Sequence, residues 1–168
     1  MQAKVRALAA AAVLAGIAAL VFAAVASGDH GNGRDEGHGG KIFRSVLAPS
    51  QPTDPSFHGV APGNVGWILK NGSVKIGRNG QFDLRLRGLV ITATGTARPV
   101  ATVSASLFCG ADTTTTPAVT TAQVPISPEG NARIHQRVTL PATCLAPIVL
   151  VHPNGGTTRY ISVTGWRS

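Results

Sequence analysis

From residue 67 onward the chain alternates apolar and polar positions with a period of two, the pattern of strands with one buried and one solvated face. In Gln81–Arg87, Phe82, Leu84 and Leu86 face one way and Asp83, Arg85 and Arg87 the other. Gly88 interrupts the alternation as a bulge or bend that re-aims Leu89, Val90 and Ile91. Asn71-Gly72 and Asn79-Gly80 each sit between apolar-alternating runs. Type I′ turns need positive φ at both central residues, which Asn-Gly supplies. The two pairs therefore predict a meander of Trp67–Lys70, Val74–Gly77 and Gln81–Ile91.

The next strand, Val100–Cys109, sets Ala101, Val103, Ala105, Leu107 and Cys109 against Thr102, Ser104 and Ser106. The Thr- and Pro-rich stretch after it reads as a loop into an edge strand, Ala118–Val124, rather than as a site for O-linked sugars. After a turn at Pro128-Glu129-Gly130-Asn131, Ala132, Ile134, Val138 and Leu140 share a face, with Gln136 as its polar exception. Arg133, His135, Arg137 and Thr139 face the other way. Ile148–Val151 is an unbroken apolar run, as expected of a central strand buried on both faces. Asn154-Gly155-Gly156 turns the chain into a last strand within Thr158–Trp166. Seven or eight short strands with frequent turns and no amphipathic helix predict an all-β domain over residues 66–168. The expected architecture is an Ig-like or fibronectin-like β-sandwich, with a small barrel as the alternative.

Upstream the character changes. Residues 27–40 are Gly-rich and charged and predict a flexible tether. Asp29, His30, Asp35, Glu36 and His38 lie on it, but no regular element fixes their spacing as metal ligands. Residues 41–65 carry Pro49, Pro52, Pro55 and Pro62 and predict an extended arm without regular structure, docking through Ile42, Phe43, Val46, Leu47 and Phe57–Val60. Residues 1–26 place Lys4 and Arg6 before an apolar run, Ala7 to Ala26, that ends in Ala24-Val25-Ala26. That is the pattern of a cleaved secretory signal peptide. The rival reading is a membrane anchor over residues 7–26. Both place the remainder outside the cytoplasm.

That address changes how charge and cysteine are read. Lys4 and Arg6 leave with the signal, so the formal net charge falls from +8 to +6, with 13 Lys and Arg against 7 Asp and Glu. Such a surface is drawn to anionic partners, such as an anionic cell-envelope polymer or lipid headgroups. The basic residues are scattered without a run of Lys or Arg, however, and the favoured reading is that the charge keeps a secreted protein from aggregating. Specific nucleic-acid binding is disfavoured by the scarcity of aromatics. Membrane contact is expected only if the signal segment stays attached. Cys109 and Cys144 are the only cysteines. In an oxidising compartment an even pair reads as a disulfide, with two buried free thiols as the alternative. The spacing is not that of a zinc site.

Several segments resemble a family of small secreted bacterial proteins to which no activity is attached. They are Phe43 to Trp67, with its Leu47-Ala48-Pro49-Ser50 and Phe57-His58-Gly59-Val60-Ala61-Pro62-Gly63 runs, then Arg87-Gly88-Leu89-Val90-Ile91, and Ser104-Ala105-Ser106-Leu107-Phe108-Cys109-Gly110. Leu140 to Asn154, ending Val151-His152-Pro153-Asn154, is similar too. The resemblance implies a compact secreted domain with both cysteines, in which the Pro-rich arm belongs to the same unit and packs on it.

Chemistry is sparse. No G-x-S-x-G elbow, H-E-x-x-H or phosphate-binding loop occurs, and seven carboxylates are spread thinly. His135 has no orienting carboxylate near it in sequence and reads as part of a solvated face. His58 and His152 come from separate segments, with no metal-ligand spacing. The reading is therefore an exported, non-enzymatic binding or structural module of the cell envelope or extracellular space, its ligand open and without cofactor or metal. A polyanion- or carbohydrate-binding domain is the first alternative. Its candidate site is an anion-binding face of Arg85, Arg87, Arg133, His135 and Arg137. A secreted hydrolase with an unconventional site is the remaining alternative.

Overall fold

Strand Lys41–Pro49, in the segment expected to be an irregular arm, lies in the middle of the sheet. The structure, a computed structural model, describes residues 40–165. The signal segment 1–26, the tether up to residue 39 and Trp166 lie outside the described residues. All regular elements among those residues are strands: β1 (Lys41–Pro49), β2 (Ala61–Pro62), β3 (Trp67–Ile68), β4 (Asn71–Gly77), β5 (Gln81–Arg87), β6 (Val90–Ile91), β7 (Thr102–Phe108), β8 (Val119–Thr120), β9 (Val124–Pro125), β10 (Ala132–Arg137), β11 (Ile148–Pro153), β12 (Arg159–Tyr160) and β13 (Ser162–Thr164). The main sheet is antiparallel, nine-stranded and curled. Its order is β10-β5-β4-β1-β13-β11-β7-β8, and β9 also pairs with β7.

β1 serves two neighbours in succession. Lys41 to Val46 pair with β4, and Leu47 to Pro49 pair with β13. The strand therefore joins two halves, β4-β5-β10 and β13-β11-β7, whose inward side chains form one core. Val74, Ile76, Phe82, Leu84, Leu86 and Ile134 come from the first half, and Val103, Ala105, Leu107, Val149 and Val151 from the second. All are 3% exposed or less. Removing each larger one from water contributes about 2 kcal/mol. The curl closes at Gln136, the polar exception on β10. Its amide donates to Ala122 O (3.3 Å) and accepts from Ala122 N (2.9 Å), so the backbone ahead of β9 meets the edge of β10.

The rest of the Pro-containing segment covers the second face of β7-β11-β13. Val60, Phe108, Leu150, Tyr160 and Val163 make a second cluster there, with Phe57 and Ile148 against it. Polar stitches hold it down: Tyr160 Oη donates to Pro55 O (2.8 Å), Arg159 Nη1 to Pro62 O (2.9 Å), and β2 forms a parallel ladder with β12. His58 and Gly59, at φ 52° and 76°, make the two-residue turn that closes Phe57 onto Val60. The His58 ring stacks on Phe108, 4.7 Å between centroids. The expectation of an arm without regular structure is thus corrected, and the folded unit begins at β1 rather than at residue 66.

Coverage of the second face explains the burial pattern. β11 lies between β13 and β7, and its apolar run is buried on both faces, as the sequence predicts. The polar alternates Ser104, Ser106, His152 and Ser162 are buried too. Cys109 and Cys144 form a disulfide that ties the 138–147 loop to the end of β7. By loop closure across 35 residues it contributes up to about 4 kcal/mol.

Two turn expectations need correction. Asn71-Gly72 is not a hairpin turn: both residues lie in β4, opposite Arg87 and Leu86. The segment expected to precede that turn pairs instead with β6, Trp67 opposite Ile91. Gly72 is required for close approach. A Cβ there would lie 2.6 Å from Leu69 Cδ2 and 2.8 Å from Leu47 Cβ. The second pair does join β4 to β5, but only Gly80 (φ 78°) is left-handed, with Gly80 N bonded to Gly77 O. That is a three-residue connection ending in a bulge glycine, not the expected type I′ turn. The bend expected at Gly88 is present, at φ 67°.

Gly72→Ala should therefore destabilise the fold by about 1–3 kcal/mol, because Leu47 cannot retreat without moving β1. Gly156→Ala, whose Cβ would meet nothing closer than 3.5 Å, should stay within about 0.5 kcal/mol. Urea midpoints test both, and equal effects would contradict the close approach.

Candidate functional site

The register brings the predicted basic residues onto one face and adds others. Across β5 and β10, Arg85 lies directly opposite Arg133, Asp83 opposite His135, and Gln81 opposite Arg137. Arg87 lies one step further along β5, opposite Asn71 of β4. All five predicted residues are exposed. On β4, Ser73 is opposite Arg85 and Lys75 opposite Asp83, and on β1 Arg44 is opposite Lys75. Six of the eleven Lys and Arg between Lys41 and Arg159 therefore share the outward face of β1-β4-β5-β10. Asp83 is the one carboxylate among them.

Lys75 was accessible to sequence reasoning, since Ser73 and Lys75 alternate with Val74 and Ile76. Arg44 was not, because its strand was read as an arm. Asp83 was seen to face outward, but its partner depends on register. Its Oδ1 accepts from His135 Nδ1 at 2.8 Å and lies 3.5 Å from Arg133 Nη2. Its Oδ2 accepts from Gln81 Nε2 at 3.1 Å. His135 therefore has the orienting carboxylate that it lacked in sequence. Its ring is half exposed, and among the described residues no serine, threonine or cysteine is hydrogen-bonded to it. The pair supplies an oriented imidazole without a nucleophile.

Burial is the largest single influence on the Asp83 carboxyl and pushes it up. The hydrogen bond and charge of His135, the Gln81 amide and the Arg133 charge together outweigh it and hold the group below its ordinary value of 3.8. His152 is a different case. Its ring is fully buried, its Nδ1 lies 2.9 Å from Arg159 O, and burial lowers its pKa against the opposing effect of that bond. It is a core histidine held by backbone. His58 is likewise buried, with ring Nδ1 2.7 Å from Thr114 O and its backbone N–H donating to the Asp112 carboxylate.

Two depressions mark the basic face. One, of about 290 Å³, is lined by Asn71, Ser73, Lys75, Asp83, Arg85 and Arg87. The other, of about 510 Å³, shares Arg85 and Arg87 and runs past Arg133 and Asn131 to Val124 and Pro125. An apolar groove of about 300 Å³, between Ile42 and the 140–147 loop, carries no charged side chain. No family model matches the chain, and no curated protein or solved structure is detectably similar to it.

A carboxyl with a lowered pKa stabilises the fold above its unfolded value, and that stabilisation is lost as pH falls through the folded value. The stability difference between wild type and Asp83→Asn should be present between about pH 5 and 6 and shrink below about pH 4. Urea midpoints over pH 6 to 2 measure it. A difference that does not change with pH would show that the contacts to Asp83 do not depend on its charge.

Proposed function

We propose that this protein is an exported, non-enzymatic binding module that holds anionic polymers on the face of β1-β4-β5-β10. The observation that carries the reading is the gathering of Arg44, Lys75, Arg85, Arg87, Arg133 and Arg137 on one face around a single carboxylate. Arg85 directly opposite Arg133 is destabilising for a sheet by itself, since like charges in cross-strand register repel. A polyanion laid across them relieves that repulsion and adds charge-assisted hydrogen bonds.

The proposed setting is the cell envelope or the extracellular space. The apolar lead of residues 7–26 and its small-residue end support export, either released or displayed on a membrane. A disulfide between the only two cysteines fits an oxidising compartment. The resemblance to small secreted bacterial proteins points the same way. In fold, the shared core of the two halves supports a two-layered, Ig-like reading of the curled sheet. The imidazole without a nucleophile supports binding over hydrolysis.

Retention of the exported chain on an anionic resin tests the proposal. Changing Lys75, Arg85 and Arg133 to Glu should weaken binding at least about tenfold at low salt, and salt should abolish what remains. The same charge change at Lys70, Arg78 and Arg98, outside the face, is the control. Equal losses in the two triple variants would mean that only net charge matters.

A further inference from the structure

We propose that the depression between β4 and β5 selects polymers that carry free hydroxyls beside their anionic groups, so that the ligand is an acidic polysaccharide rather than a bare polyphosphate or a nucleic acid. The inference rests on the basic-face reading and adds to it the chemistry of the ligand.

The composition of the depression carries it. A site for anions alone would be lined by cations and backbone N–H groups. Here Lys75, Arg85 and Arg87 alternate with Asn71, Ser73 and Asp83. Asn71 and Ser73 are directly opposite Arg87 and Arg85. A polar, uncharged group therefore stands beside each of the two arginines. Among the described residues no side-chain hydrogen bond occupies Asn71 or Ser73, so both present free donor and acceptor capacity. Asp83 points the same way. An ionised carboxylate has about four lone-pair sites, and those of Asp83 that face His135, Arg133 and Gln81 number three. The remaining site repels a phosphate or carboxylate but accepts from a hydroxyl.

The surroundings exclude the rivals. Base stacking needs exposed aromatic rings; among the described residues Trp67, Phe82, Phe108 and Tyr160 are all 2% exposed or less, and the half-buried Phe43 and Phe57 pack against the core clusters. The volume of about 290 Å³ is at the small end of ligand sites and holds a short stretch of chain. The larger cleft continues from the same two arginines past Arg133, which gives a longer molecule a path across the sheet. Successive outward residues on a strand are about 7 Å apart, so Arg85 and Arg87 meet anionic groups at that spacing. Asn71 and Ser73, directly across from those arginines, meet hydroxyls beside the anionic groups.

Three probes separate charge from hydroxyls: polygalacturonate carries both, polyphosphate only charge and dextran only hydroxyls. The full exported chain should bind polygalacturonate and leave dextran unbound. The double variant Asn71→Ala, Ser73→Ala, which changes no charge, should weaken polygalacturonate about five- to tenfold and leave polyphosphate within about twofold. Asp83→Asn should shift the preference toward polyphosphate by at least about threefold. Unfolding midpoints of both variants check that the fold is kept. Equal effects on the two anionic polymers, or no effect on either, would overturn the hydroxyl inference while leaving the basic face intact. Wild-type protein that binds neither polymer would overturn the basic-face reading itself, and dextran binding as tight as polygalacturonate would overturn the need for charge.

Discussion

Everything in this fold depends on the divided pairing of β1. One strand gives its first six residues to β4 and its last three to β13. The two halves of the sheet are then held along a shared edge, and their inward side chains meet in one core. Gly72 is the local price of this arrangement, because no Cβ fits beneath Leu47. The Pro-containing segment that leaves β1 covers the back of β7-β11-β13. Buried polar side chains follow from that coverage. His152 and Ser162 lie under the segment: His152 Nδ1 is held by Arg159 O while its Nε2 has no partner among the described residues, and Ser162 donates to Ala48 O.

The same pairing shapes the candidate surface. Alternation on β4, β5 and β10 sends Phe82, Leu84, Ile134 and their neighbours inward, so the intervening charges have to emerge on the opposite side. The pairing of β1 with β4 then adds Arg44 beside Lys75. Asp83 sits within this array and takes His135, Arg133 and Gln81 as partners. It compensates part of the repulsion and leaves Arg85 and Arg87 without an ion pair among the described residues. A surface of this kind carries a standing electrostatic cost that an anionic ligand removes.

Period-two alternation was enough to find β5, β7 and β10 and the outward direction of Arg85, Arg87, Arg133, His135 and Arg137, and the unbroken apolar run Ile148–Val151 was enough to find β11. The even cysteine count, taken with the export expected from the pattern of residues 1–26, was enough to suggest the disulfide. Four prolines hid β1, because the breaks they mark fall after residue 48 while the strand lies mostly before them. Asn71-Gly72 imitated a turn. In it, glycine serves backbone proximity rather than positive φ, a distinction that local sequence does not carry. Register was also beyond reach. Only the pairing of β5 with β10 puts Asp83, fifty-two residues away in sequence, against His135. The buried serines and His152 ran against the alternation because a distant segment covers their face.

The central claim is that the β1-β4-β5-β10 face, and not net charge, engages an anionic polymer. Titrating the exported chain with polygalacturonate while following backbone amide and arginine Nε–H resonances tests it most directly. The shifts should concentrate at Arg44, Lys75, Arg85, Arg87 and Arg133 and at the intervening Asn71 and Ser73. Shifts of equal size at Lys70, Arg78, Arg98 and Arg159, or shifts confined to the apolar groove beside Leu140, would contradict it.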